Sequence, residues 1–124
     1  MKLLIRSARI TDPSSPHNGS TKDIYIENGI IQKITDKHPA PGKDVTLHEG
    51  TGQHISPGWF DMCVNFRDPG HEYKEDISSG CRAAAAGGFT GVACMASTFP
   101  PIDTKSGIEY IRNKAAGGLV DVFP

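Results

Sequence analysis

This 124-residue sequence has a net charge close to zero, no long apolar run and only three cysteines. Its 13 Lys and Arg residues against 14 Asp and Glu residues give a net charge of −1, which excludes a strongly basic nucleic-acid-binding surface. No apolar run approaches the roughly 18 residues that a membrane span requires. The apolar run at residues 3–5 is too short for the core of a signal peptide. We therefore expect a cytoplasmic protein that binds neither nucleic acid nor a membrane.

The cysteines and histidines follow no recognisable metal-binding spacing. Cys63, Cys81 and Cys94 are odd in number and form no CxxC pair, which predicts free thiols in a reducing compartment. The five histidines include no HxH or HExxH motif. Composition and spacing alone therefore show no metal site.

Short strands are predicted in the first half of the chain, where glycine and proline mark frequent turns. Residues 23–34 carry two β-branched runs around Asn28-Gly29, a dipeptide that tolerates the positive φ angles of a type I′ turn. This pattern predicts a β-hairpin. Further short strands are predicted at residues 3–5, 8–10, 45–48 and 52–55.

The second half alternates between strand and helix patterns. The predicted elements are a strand at 59–66, a helix at 72–86 ended by Gly87-Gly88, a strand at 89–95, a helix capped by Asp103 or Thr104, and a strand from 119. This alternation is typical of βα units that build a parallel sheet. Three such strands and two helices cannot cover both faces of a sheet, so we expect the front portion of a larger α/β fold. The alternative is a small, compact α+β domain.

Ligands of parallel βα folds bind at the carboxyl ends of the strands. Here the first such loop carries Asn65, Arg67 and Asp68, and the second carries Ser97 and Thr98. The Arg67 guanidinium is suited to binding a carboxylate through two parallel hydrogen bonds. Alternatively, Arg67 pairs with Asp68 or a neighbouring carboxylate and only holds the loop.

Residues 57–70, with the sequence PGWFDMCVNFRDPG, resemble the first barrel strand of the dihydroorotases, which belong to the amidohydrolase superfamily. The resemblance continues through residues 82–90, 94–95 and 100–103. It implies the N-terminal part of a (β/α)8 TIM-type barrel, a fold that takes about 250 residues. Residues 1–55 would then supply strands of a small β-sandwich, and residues 56–124 the first βα units of an incomplete barrel.

The resemblance also implies a site at which this sequence departs from the family. The first barrel strand of the family ends in His-x-His, whose imidazoles bind zinc; Cys63 and Asn65 stand at those positions here. A thiolate is a good zinc ligand, whereas a carboxamide is a poor one. Arg67 matches the family's substrate-carboxylate arginine, and Ser97 replaces its substrate-binding asparagine. Zinc is thus expected for the family but doubtful in this chain.

Three hypotheses follow from these replacements. The first is a dihydroorotase-like protein of pyrimidine biosynthesis that is inactive or impaired, a pseudoenzyme retained for structure or association. The resemblance implies carbamoyl aspartate or dihydroorotate as the small-molecule carboxylate partner. The second is an active zinc hydrolase in which Cys63 and later strands supply the ligands. The third is a structural partner of a transcarbamoylase, because members of the family occur both alone, as homo-oligomers, and in such assemblies.

Overall fold

The computed structural model describes all 124 residues, which form two compact units, Met1–Pro57 and Gly58–Pro124. None of their helices has the length and apolar character needed to cross a bilayer.

The first unit is a five-stranded mixed sheet. Its strands are β1 (Lys2–Ile10), β2 (Thr21–Glu27), β3 (Ile30–Thr35), β4 (Thr46–Glu49) and β5 (His54–Ile55). The order is β3-β2-β1-β4, and β5 also pairs with β1. Strand β1 lies antiparallel to β2 and parallel to β4 and β5. It is therefore the central strand, and only β3 does not pair with it. This unit contains a single sheet, and the β-sandwich remains a prediction.

The predicted hairpin is confirmed as β2–β3. Asn28 and Gly29 both adopt positive φ angles, 52° and 79°, as a type I′ turn requires. Ile24 from this hairpin is buried with Leu4, Ala8 and Ile10 of β1. The register pairs Leu4 with Tyr25 and Ile5 with Ile24, so the buried Leu4 and Ile24 side chains lie on opposite faces, and each face of this sheet is buried in part.

The two short strands predicted at residues 3–5 and 8–10 are one strand, β1, interrupted by a bulge at Ser7. Ser7 has a φ of 55°, and its N–H donates to the buried carboxylate of Asp23 at 2.9 Å. The N–H of His38 donates to the other oxygen of Asp23 at 2.8 Å. Burial opposes ionisation of Asp23, but the two backbone N–H groups outweigh it and lower the pKa of the carboxyl. The bulge is thus stabilised by a residue far along the chain.

The second unit has the predicted order strand, helix, strand, helix, strand. Its elements are β6 (Trp59–Val64), α1 (Ile77–Ala86), β7 (Phe89–Cys94), α2 (Lys105–Ala115) and β8 (Asp121–Phe123). The three strands form a parallel sheet in the order β6-β7-β8. The prediction of a parallel βα arrangement is confirmed.

Helix α1 begins later than predicted. Asp76 has extended backbone angles and acts as the N-cap, accepting the Ser79 N–H at 2.8 Å, while the Ser79 hydroxyl accepts the Asp76 N–H. The expected start at Glu72 is wrong because the preceding residues form turns, with the Lys74 N–H bonded to the His71 carbonyl. The helix ends as expected, since Gly88 adopts a φ of 83°.

The helices cover one face of the parallel sheet. Val92 in the central strand is fully buried and packs in a cluster with Phe66, Ile77, Cys81, Ile111 and Val120. Phe60 and Phe123 do not belong to this cluster. The centroids of their rings lie 5.7 Å apart, and both residues are about half exposed. The core of this unit therefore lies between the sheet and its two helices.

Candidate functional site

The loops that follow β6 and β7 lie side by side at the carboxyl ends of these strands. The Ser97 hydroxyl donates to the Asn65 carboxamide oxygen at 2.5 Å. The Phe99 N–H donates to the Pro69 carbonyl at 3.0 Å. The structure thus brings together Asn65 and Ser97, two of the residues singled out from the sequence, although they lie 32 positions apart.

Gly70 permits the close approach of the two loops. Its φ is 100°, and a Cβ atom at this position would lie 2.1 Å from the Phe99 carbonyl oxygen. Only glycine combines that backbone conformation with that contact.

Cys63 lies on the exposed side of an irregular part of β6. The pairing of β6 with β7 shifts between Asp61 and Val64, and the Cys63 N–H donates to the Asp61 carboxylate at 2.9 Å. The Asp61 carboxylate is two positions before Cys63, where it could support a metal ligand or stabilise a turn. In the structure it has the turn role, because its carboxylate stabilises the irregular strand.

Arg67 is half-buried and has no carboxylate within ion-pairing distance. The alternative in which it pairs with Asp68 is wrong, because Asp68 pairs instead with Lys114, at 2.7 Å. Arg67 itself adopts a φ of 59°, the left-handed conformation that non-glycine residues rarely adopt. None of the six ion pairs in the structure includes the Arg67 guanidinium.

Asp68 has a fully buried side chain with three partners. Lys114 donates to one oxygen, the Tyr110 hydroxyl donates to the other at 2.8 Å, and the Ile77 N–H donates at 3.3 Å. Burial disfavours the charged carboxylate, but these donors outweigh it and lower the pKa of Asp68. The hydrogen bonds to Asp68 and Tyr110 raise the pKa of Lys114. This cation–carboxylate pair is ionised at neutral pH.

The sequence did not predict that Tyr110 and Lys114 bind the Asp68 carboxylate. Their i, i+4 spacing places them on one face of α2, a signal that the sequence does contain. Their partner lies more than 40 positions earlier, and spacing within one helix does not identify it.

The donors at the zinc position do not form a metal-binding set. Cys63 and Asn65 border a cavity of about 340 Å³ together with the carboxylates of Asp61 and Glu75. However, no three His, Cys, Asp or Glu side chains in these 124 residues are grouped so that they could hold an ion. Asp61 and Asn65 already accept hydrogen bonds from the chain. These residues alone do not fit a zinc centre.

Cys81 and Cys94 lie on the helix-covered side of the sheet. Burial raises the pKa of both thiols, that of Cys94 to about 11 with a further contribution from neighbouring Cys81. All three cysteines are free, and only Cys63 is exposed. Cys81 and Cys94 are therefore packing residues.

Solved structures with the same arrangement of elements are barrel hydrolases of the amidohydrolase type. L-hydantoinase (dihydropyrimidinase) from Arthrobacter aurescens matches with a TM-score of 0.81 and 21% identity, over 97% of this chain and 26% of that one. D-hydantoinase (dihydropyrimidinase) from a Thermus species matches with a TM-score of 0.74 and 27% identity, over the same shares. The fold is thus that of the N-terminal part of an amidohydrolase.

Sequence comparison identifies a specific family within this fold. The profile of the dihydro-orotase-like family matches residues 52–124. A dihydroorotase of Geobacter metallireducens is 49% identical over 125 residues, which cover 100% of this chain and 29% of that protein. The chain belongs to the dihydro-orotase-like family and corresponds to the N-terminal part of its relatives.

Proposed function

We propose that the protein is a dihydroorotase-like cyclic amidohydrolase whose activity is impaired because Cys63 and Asn65 occupy the positions of the zinc-binding histidines. The observation that carries this proposal is the bond between Asn65 and Ser97, which uses the carboxamide oxygen to join two loops. A carboxamide so engaged is not a strong metal ligand.

The substrate class follows from Arg67 together with family membership. A half-buried guanidinium without a carboxylate partner is suited to bidentate recognition of a carboxylate ligand. Carbamoyl aspartate and dihydroorotate, the ligands of the family, both carry such a group. Ser97 carries a hydroxyl where the family has an amide, and that hydroxyl donates to Asn65 in the adjacent loop, so Arg67 carries the recognition. We therefore expect recognition of these ligands to be retained in part.

The test compares the full-length natural polypeptide with its Cys63→His/Asn65→His variant. Zinc content is measured by mass spectrometry, and turnover by the hydrolysis of dihydroorotate. We expect low zinc and slow turnover in the natural protein and an increase in both in the variant. The matched control is Cys63→Ala/Asn65→Ala, which removes the same side chains without adding imidazoles. An ordinary dihydroorotase rate with stoichiometric zinc in the natural protein would overturn the proposal.

The exposure of Cys63 favours a second candidate, a working hydrolase with an altered zinc site. Cys63 would then provide one thiolate ligand, and other ligands would come from residues beyond these 124. Cys63→Ser would reduce the zinc content under this candidate. It would leave the zinc content unchanged if Cys63 has no metal-binding role.

Exposed apolar side chains favour association as a further part of the proposal. Trp59, Met62 and Leu119 are each more than 60% exposed. A structural role beside a transcarbamoylase, or in a homo-oligomer, would bury such groups. Co-purification of the full-length protein with a transcarbamoylase would support the first, and a concentration-dependent mass of the protein alone would support the second.

A further inference from the structure

We propose that Lys114 is a positioning residue for the carboxylate site, because its pairing with Asp68 keeps the Asp68 carboxylate away from the Arg67 guanidinium. This inference rests on the proposed function of Arg67. The residues Asp68, Tyr110 and Lys114 are called the Asp68 cluster below.

The geometry of the Asp68 cluster leaves neither carboxylate oxygen free. Lys114 Nζ lies 2.7 Å from Oδ2 of Asp68, and the Tyr110 hydroxyl lies 2.8 Å from Oδ1. Lys114 also donates to the Tyr110 hydroxyl at 3.0 Å, which closes the cluster. Its members come from the β6–α1 loop and from α2, so the cluster fixes the loop that carries Arg67 to a helix.

Arg67 is the residue that an unpaired Asp68 would neutralise. It precedes Asp68 directly and is half-buried, whereas none of the six ion pairs in the structure includes it. An intramolecular carboxylate next to the guanidinium would compete with the carboxylate of a ligand for the same N–H donors. The Asp68 cluster removes this competitor.

Burial makes the competition energetically important. The Asp68 side chain is fully inaccessible to solvent, and a buried carboxylate without a cation is strongly unfavourable. If Lys114 lost its charge, Asp68 would be driven towards another cation, and Arg67 is adjacent in the chain. The ligand would then have to displace Asp68 before binding.

The experiment measures the binding of N-carbamoyl-L-aspartate to the full-length protein by isothermal titration calorimetry. Lys114→Met retains the aliphatic chain without the charge, and we expect it to weaken binding about tenfold. In Asp68→Asn/Lys114→Met the competing carboxylate is gone as well, and we expect affinity to return to about that of the natural protein. The control is Lys105→Met, which removes a lysine of the same helix that is 90% exposed, and should have no effect.

The outcomes separate this inference from the proposed function. If the natural protein binds the ligand and Lys114→Met binds it equally well, the inference is wrong and the carboxylate site stands. If the natural protein is folded but does not bind, both fail. A double variant that is as stable as the natural protein but binds as weakly as Lys114→Met also overturns the inference, because the role of Lys114 would then be structural only. Circular dichroism checks folding, and Lys114→Gln replaces Lys114→Met if the latter does not fold.

Discussion

Several polar side chains at the ends of β6 and β7 are bonded within the chain rather than directed to a shared centre. Asn65 accepts from Ser97, and Asp61 accepts from the backbone of Cys63. Arg67 differs from them because its guanidinium has no acidic partner. At the scale of single residues, recognition of an anion is therefore better supported than metal binding.

The three thiols should differ sharply in reactivity. Cys63 is exposed, whereas Cys81 is buried and burial raises the pKa of Cys94 to about 11, so that these two are protonated near neutral pH. We expect a single thiol to react rapidly with a chromogenic disulfide reagent in the folded protein. All three should react in denaturant. Cys63→Ser should abolish the rapid phase, and rapid reaction of a second thiol in that variant would contradict the packing.

The Asp68 carboxylate should make stability dependent on pH in the acidic range. Because its pKa is lowered on folding, its contribution is present above the unfolded value near 3.8 and is lost as the pH falls through the folded value. The difference in unfolding free energy between the natural protein and Asp68→Asn should shrink from neutral pH to about pH 3. Urea titrations would measure it. Asp103→Asn, at an exposed position, is the control, and a difference that does not depend on pH would contradict the assignment.

At the scale of elements, local patterns predicted what local interactions determine. Asn28-Gly29 fixed the β2–β3 hairpin because that turn depends on two adjacent residues. The strand–helix alternation after residue 58 predicted the parallel sheet. The spacing of apolar residues differs between strands and helices, and this difference is visible in the sequence. These elements required no knowledge of distant contacts.

Features that depend on distant partners were not predictable in the same way. The bulge in β1 at Ser7 is stabilised by Asp23, and the Arg67 loop is anchored by Lys114. The start of α1 was misplaced because several acidic residues precede it and only Asp76 has the capping geometry. The bond between Asn65 and Ser97 followed in outline from the sheet rule, but its donor and acceptor did not.

The cap of α2 provides a direct test between two adjacent residues, since the sequence allowed either Asp103 or Thr104. In the structure the Thr104 hydroxyl accepts the Gly107 N–H at 3.2 Å. We expect Thr104→Ala to reduce the free energy of unfolding by about 1 kcal/mol. Asp103→Ala should change it much less, and urea denaturation measures both. Equal losses would show that the cap is shared.

The contact between the two site loops is tested by Gly70→Ala. The added Cβ would meet the Phe99 carbonyl in a left-handed backbone conformation, and we expect a loss of about 3 kcal/mol. Gly117→Ala is the matched control, because Gly117 also has a positive φ but no atom within 4 Å of the added Cβ. Its expected loss is about 1 kcal/mol. Similar melting temperatures for the two variants would contradict the close approach.

At the scale of the whole molecule, the second unit exposes many large apolar side chains. Large apolar side chains are exposed on the sheet of the second unit and in its loops: Trp59, Phe60, Met62, Met95, Phe99, Leu119 and Phe123. The strands β6 and β8 are both edge strands with unpaired backbone groups. Exposed edges and apolar side chains together favour association.

We therefore expect the 124-residue chain, expressed alone, to be poorly soluble or molten. It should bind a hydrophobic dye and sediment with a mass that rises with concentration. Phe60→Lys, at an exposed position on an edge strand, should lower the association. A sharp, cooperative thermal transition from a monomer would contradict this expectation.

The central position of β1 has a consequence for folding during translation. β1 is made first, and the β2–β3 hairpin can pair with one of its edges as soon as residue 35 has left the ribosome. Its other edge stays unpaired until β4 and β5 follow, some 45 residues after β1 begins. A nascent chain therefore carries an open β1 edge for part of its synthesis, a template onto which the strand of a neighbouring nascent chain can add.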